Sequence, residues 1–261
     1  MALAFVPFVL RRIGAYARLE ALVALGTLAA AALMAAVIIY ADAVRDLGLA
    51  YALRQHDSDA LDVTVYSSSQ RLAPADFAHR DAETVRQLRD ALGGIARQYL
   101  RYGRTATFFL TAPGAPVPAD DDRPRAHFQF FDGLEARVRV VAGRTPQPAP
   151  VAAAESPTIE AWVSSQAAGQ LSIRVGDRFD LHPYWAPDIE PVHVHVVGIF
   201  EPLDPDDRAW RTREERLAVT STGWPTYPFF VPETSLTGAL VAYLPSIDGA
   251  FETVAVIDTT A

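Results

Sequence analysis

From Ala21 to Ala41 the chain reads ALVALGTLAAAALMAAVIIYA, without one charged side chain. About 20 apolar residues rising about 1.5 Å each cross a hydrocarbon layer of about 30 Å. The pattern predicts a transmembrane helix over residues 19–44, with Glu20 and Asp42 closing the uncharged run. Leu47, Leu49, Ala50 and Leu53 keep helical spacing and extend the helix to Arg54. The period then changes. Leu61–Tyr66 alternates apolar and polar residues, which predicts a strand, and Ser67–Ser69 predicts a turn. Val85, Leu88, Leu92, Ile95 and Tyr99 share one helical face, so Pro74–Leu100 is expected to be helix, weakened or broken at Gly93-Gly94. Thr105–Thr111 is expected to be a second strand. Strand, helix and strand in this order form a βαβ-like unit.

Beyond that unit the pattern is mostly short strands. Ala112–Arg125 carries four prolines and reads as a loop. Strands are expected at Ala126–Phe131, Ala136–Val141, Glu160–Val163, Arg178–Leu181, Val192–Ile199, Ala239–Leu244 and Thr253–Ile257. Ser165–Leu171 is expected to be a short helix, Val175-Gly176-Asp177 a tight turn, and Pro146–Pro157 and Glu201–Trp210 loops. The expected class is α+β: one N-terminal transmembrane helix, then a mixed α/β domain with a βαβ-like part and a β-rich part.

Charge orients this layout. Arg11, Arg12 and Arg18 precede the apolar run and only Arg45 follows it closely. The positive-inside rule places residues 1–18 in or on the cytoplasmic side and 45–261 as an extracytoplasmic domain in the cell envelope. Residues 2–18, half apolar with arginines between, suit an amphipathic helix on the cytoplasmic membrane surface. Ala41-Asp42-Ala43 resembles a signal-peptidase site, but the apolar run exceeds the usual 7–15 residues of a signal peptide, which favours a retained anchor. Gly26 and Ala30 form a small-xxx-small pair that suits packing against other membrane helices. Heavy alanine use along the chain accounts for that pair equally well.

The net charge of −8, with no basic stripe, excludes nucleic acid as a partner. The chain has no cysteine, and its 23 basic residues are all arginine. That removes thiolate chemistry, Cys-ligated zinc, Schiff bases and the lysine of an ATP-binding P-loop. No Gly-x-Ser-x-Gly or His-Glu-x-x-His occurs. His193 and His195 alternate on one strand with His182 near in sequence, a spacing that could hold zinc if a third ligand joined them. Asp120-Asp121-Asp122 lacks the glycine and distal glutamate of an EF-hand loop and reads as solvated. Trp185, Trp210, Trp224, Tyr227, Phe229 and Phe230 could form an exposed contact patch, although large aromatics more often pack loops onto a core. The sequence nominates no catalytic, cofactor-binding or metal-ligating residue and no cofactor.

Three segments carry a family resemblance. Phe131-Asp132-Gly133-Leu134-Glu135 through Val140 to Gly143-Arg144-Thr145-Pro146 resembles the GLE and GRxP stretch of FtsX-like (MacB-type) permeases of ABC transporters. Ile159-Glu160-Ala161-Trp162-Val163-Ser164, Ala167-Ala168, Leu171 and Val175-Gly176-Asp177 resemble a second stretch of that family. Val196-Val197-Gly198-Ile199-Phe200-Glu201-Pro202, Asp204-Pro205-Asp206-Asp207 and Trp210 resemble a third. The resemblance covers nearly the whole chain. It implies a porter-like part in a MacB-like periplasmic domain, and a permease subunit that couples a separate cytoplasmic ATP-binding subunit to the envelope for export or mechanotransmission. It also implies membrane lipid, further permease helices or a second permease subunit as partners. Family members continue into further transmembrane helices, so the resemblance makes residues 1–261 a fragment or one chain of several. The alternative expectation is a membrane-anchored binding or sensor module that is complete as it stands. An anchored enzyme is a third reading, without a motif to support it.

Overall fold

The computed structural model describes residues 6–55, 61–118, 123–151, 155–211, 217–218 and 225–257. Asp120-Asp121-Asp122 and Trp224 lie outside the described residues. The chain divides into two compact units, Met1–Asp57 and Ser58–Ala261.

The first unit is one helix, α1 (Val6–Gln55). Where the sequence suggested a surface helix followed by a membrane helix, the backbone is continuous. Within α1, Ala17–Val37 is long and apolar enough to cross a membrane. Its apolar side chains stand free, Leu28 at 72 % exposure among them. Thr27, the hydroxyl in this stretch, donates back to the carbonyls of Val23 and Ala24 at 3.0 and 2.9 Å. A polar group satisfied within its own helix is compatible with lipid.

The second unit is mixed α/β and rich in strands. Its first part is β1 (Val63–Arg71), α2 (Pro74–Leu92) and β2 (Ala96–Thr105). The last strand, β10 (Asp248–Ile257), lies antiparallel between β1 and β2. The βαβ crossover is therefore split by the far end of the unit. α2 presses Phe77 against Phe251 and Phe130, with ring centres 4.6 and 5.9 Å apart.

The helix α2 ends eight residues before the expected Leu100, because Gly93 takes a positive φ of 55° and its N–H caps the Arg89 carbonyl. Tyr99, expected on the helix, stands on β2 instead. Ser67–Ser69 is no turn between elements but a bulge within β1, where the register with β10 shifts and Ser69 takes φ 52°.

The remaining strands are β3 (Phe108–Thr111), β4 (Arg125–Phe131), β5 (Val138–Gly143), β6 (Thr158–Ser164), β7 (Arg178–His182), β8 (Val192–Pro202) and β9 (Thr226–Phe230). β3, β7, β8, β6, β9 and β4 pair in that order, and β4 returns to β3. The ladder thus closes on itself. Closure removes free edges, which otherwise template aggregation. Phe108, Phe128, Ile159, Leu181 and Phe229 fill the inside and are fully buried. β2 joins the ring through β4.

Short helices complete the unit: α3 (Ser165–Leu171), α4 (Arg208–Arg211) and α5, a π-helical turn Ser235–Leu240 running into Val241–Tyr243. Ser164 caps α3 by accepting the Ala167 N–H at 3.0 Å. α5 overturns the strand expected at Ala239–Leu244. Leu236, Ala239, Leu240 and Leu244 fall on one helical face and are all buried, so an apolar run that could serve either period packs as a helix.

Candidate functional site

The three motif segments, consecutive in sequence with a loop or strand between them, meet on one side of the closed ring. β6 places Ile159, Ala161 and Val163 inward and turns Trp162 outward. There Trp162 meets Phe200 of β8, and Phe200 meets Phe230 of β9, with ring centres 5.8 and 5.0 Å apart. Phe131, Leu134, Val138 and Trp210 close over them, and Leu100, Tyr102, Val254 and Val256 extend this second core onto β2 and β10. Trp210 stands edge-on to Phe131 at 5.3 Å, and Tyr102 stacks on Phe131 at 4.3 Å.

Two glycines set the fit. Gly143 has φ 77°, and a Cβ there would overlap the Val197 carbonyl oxygen. A Cβ on Gly198 would lie 2.5 Å from the Arg144 carbonyl oxygen and 2.7 Å from Trp162 Nε1. Gly143 and Gly198 are register partners of β5 and β8. Their missing side chains let the 143–146 turn sit flat on β8, and the Trp162 indole N–H donates to the Arg144 carbonyl at 2.7 Å.

Charges then tie the segments together. Arg144 grips the Glu160 carboxylate with both guanidinium ends, and the Gln147 N–H donates to the same carboxylate at 2.9 Å. The Arg144 hydrogen bond holds Glu160 below the ordinary carboxylate pKa, against the burial that would raise it. Arg137 pairs with Asp207. Asp207 also accepts the Ala209 N–H at 2.9 Å, and Asp204 accepts the Asp206 N–H at 2.9 Å. The acidic stretch before Trp210 is thus built into the turn that leads to α4. A third tie crosses to the split βαβ part. Arg101 of β2 binds Asp81 of α2 at 2.7 Å, Glu233 at 3.1 Å and Asp132 at 3.4 Å. Burial alone would lower the Arg101 pKa; these carboxylates raise it.

A cavity of about 260 Å³ opens beside this joint. Trp162, Phe131, Phe230 and Leu134 line its apolar part; Asp132, Glu135 and Glu233 line its polar part. The sequence signal for the joint was the order of the three motifs. Nothing local announced Arg101 or Glu233.

The histidines take other roles. His193 Nδ1 meets the buried Asp180 at 2.7 Å, and Asp180 also accepts the Gly114 N–H at 2.7 Å. His182 Nε2 bonds the Thr111 hydroxyl at 3.0 Å, and burial lowers its pKa. His195 lies across from Glu160 on the neighbouring strand. Among the described residues no three His, Asp or Glu side chains are grouped to hold a metal. The aromatic cluster is largely core. Trp210, Phe229 and Phe230 are buried, Tyr227 is half-buried, and Trp185 packs on Phe108 at 5.2 Å.

No family model and no curated protein sequence matches the chain. Among solved structures, a domain from a protein described as a permease of Porphyromonas gingivalis matches with a TM-score of 0.35 and 12 % identity, over 78 % of each chain. A likeness of that size leaves the argument to the residues themselves. In those residues, Phe131, Trp162, Phe200 and Trp210 serve as packing, Gly143 and Gly198 as close backbone approaches, and Arg144 with Glu160 and Arg137 with Asp207 as ion pairs. What the arrangement can do chemically is hold the closed ring, the split βαβ part and a small cleft in fixed relation.

Proposed function

We propose that the chain is a permease subunit of an ABC transporter. Its helix α1 anchors it in the cell membrane, and residues 45–261 form the extracytoplasmic domain. In this reading a separate ATP-binding subunit on the cytoplasmic side drives it, and the domain passes movement to the envelope during export or mechanotransmission. One observation supports the reading most: the three permease-like segments converge on a single joint of Trp162, Phe131, Trp210 and two glycines. A part that transmits force needs such a stiff joint, whereas an enzyme needs reactive groups around a pocket. The uncharged stretch of α1 behind Arg11, Arg12 and Arg18 supports the anchoring and its direction.

The absence of cysteine from the sequence makes a clean topology test. Single cysteines replace Arg18 and Asp90 in the full chain in intact cells. The reading expects a membrane-impermeant maleimide to label Asp90→Cys and spare Arg18→Cys, with the chain retained in membranes after alkaline carbonate washing. Carbonate-soluble chain, or labelling of Arg18→Cys alone, would sink it.

The cleft favours one second reading, a membrane-anchored binding module. In that case the chain acts without an ATPase, and the cleft itself is the working part.

A further inference from the structure

The cleft beside the joint has a composition that selects its occupant. We propose that it binds a small cationic aromatic ligand, an arylalkylamine in chemical class, with the ring against Trp162, Phe131 and Phe230 and the ammonium among Asp132, Glu135 and Glu233. The inference rests on neither functional reading above.

Size comes first. A cavity of about 260 Å³ lies at or below the small end of ordinary ligand sites, about 300–1,000 Å³. It suits one bicyclic ring on a short chain. The aromatic side chains of the lining offer little beyond carbon. Phe131 and Phe230 have no polar atoms in their side chains, and the Trp162 N–H is already given to the Arg144 carbonyl. A ligand end that brought its own donors or acceptors there would leave them unpaired. The side of the cleft made by these three residues is therefore apolar, and aromatic walls favour a flat ring.

Charge selects the other end. Three carboxylates line the cleft, and Arg101 reaches two of them, Glu233 at 3.1 Å and Asp132 at 3.4 Å. Its shortest bond goes elsewhere, to Asp81 at 2.7 Å. The arginines of the neighbouring motif segments are engaged too, Arg137 by Asp207 and Arg144 by Glu160. Among the described residues Glu135 makes no ion pair. One guanidinium thus serves three carboxylates, and the fourth has none, so the cleft carries an excess of negative charge. An anion is repelled there and a neutral ligand gains nothing from it, whereas an ammonium is drawn in. Because Asp132 and Glu233 face both the cleft and Arg101, a bound ammonium competes with Arg101 for them.

That competition gives two variants opposite signs. The full chain is placed in nanodiscs of zwitterionic lipid and titrated with tryptamine by calorimetry, with empty discs as the control. Saturable binding is expected, at least tenfold tighter than for indole or indole-3-acetate. Glu135→Gln, on an exposed side chain, is expected to weaken tryptamine about threefold, the scale of one exposed charge. Arg101→Gln is expected to tighten it about threefold by removing the competing cation. Should Arg101→Gln lose its fold by circular dichroism, Glu135→Gln decides. No binding above empty discs at millimolar tryptamine overturns the proposal. So does indole-3-acetate binding as tightly, or an unchanged affinity in Glu135→Gln. Topology and ATPase measurements are untouched by any of these results, so failure here and failure of the permease reading are separable.

Discussion

Around Gly143 and Gly198 there is no room for a methyl group, while around Arg101 the chain meets itself through charges across half-exposed ground. Both regions join distant parts of the same unit. The first joins β5, β6 and β8 by steric fit and buries Trp162, Phe200 and Trp210 almost fully. The second joins α2, β2, the end of β4 and the start of α5 through one arginine and three carboxylates. Steric joints do not respond to salt or pH, and ionic ones do. The difference shows which contacts conditions can reach: the β2–β4 pairing and the shared core around Phe131 and Tyr102 hold the split βαβ part to the ring whatever the salt, and the Arg101 cluster adds an ionic tie that salt and pH weaken.

The largest expected effect breaks the steric side. Gly198→Ala places a methyl against the Arg144 carbonyl and the Trp162 indole, where backbone must shift. A loss of about 3 kcal/mol is expected, at the upper end of overpacking costs, seen as a lower urea midpoint. Gly169→Ala is the matched control. It lies in α3 with nothing near its Cβ position, and a gain of about 0.5–1 kcal/mol is expected from helix propensity.

On the ionic side, Arg101→Gln strips three carboxylates of their partner. A loss of about 2 kcal/mol is expected, the scale of hydrogen bonds to charged groups. Salt sharpens the comparison: 1 M sodium chloride is expected to narrow the gap between wild type and Arg101→Gln and to leave that of Gly198→Ala unchanged.

A smaller effect comes from acid. Glu160 has a folded pKa below its ordinary value of 4.5, held there by Arg144. Such a group stabilises fully above its unfolded pKa and loses that contribution as pH falls through the lower folded one. His182 acts in the same direction from higher pH, since burial lowers its folded pKa below 6.5 and protonation then favours the unfolded chain. The urea midpoint is expected to fall on going from pH 7 to pH 4, and less so in Glu160→Gln. The smallest effect is on α2, where Glu83 pairs with Arg86 in open solvent. Glu83→Gln is expected to leave the midpoint unchanged within error.

Elements governed by local rules were legible in the sequence. α3 runs from Ser165 to Leu171 as expected, with a serine cap, and β7 and β8 keep the expected starts at Arg178 and Val192. β9 was not foreseen. Thr226-Tyr227-Pro228-Phe229-Phe230 has no alternation and carries a proline, and it becomes a strand through pairing with β4 and β6. α4 was hidden in an acidic loop because its first turn depends on Asp207, which Arg137 holds from seventy residues away. The site follows the same division. The motif residues were visible in order, but their meeting at Trp162 and the tie from Arg101 to Glu233 are long-range contacts that no local pattern encodes.

The measurement that bears most directly on the permease reading is isolation of the full chain in mild detergent from its own host. Proteins that co-purify are identified, and their ATP hydrolysis is measured with and without the chain. The reading expects an ATP-binding subunit to travel with the chain and its hydrolysis rate to change when the chain is deleted. A chain that isolates alone, with every candidate ATPase hydrolysing at the same rate in its absence, would contradict it.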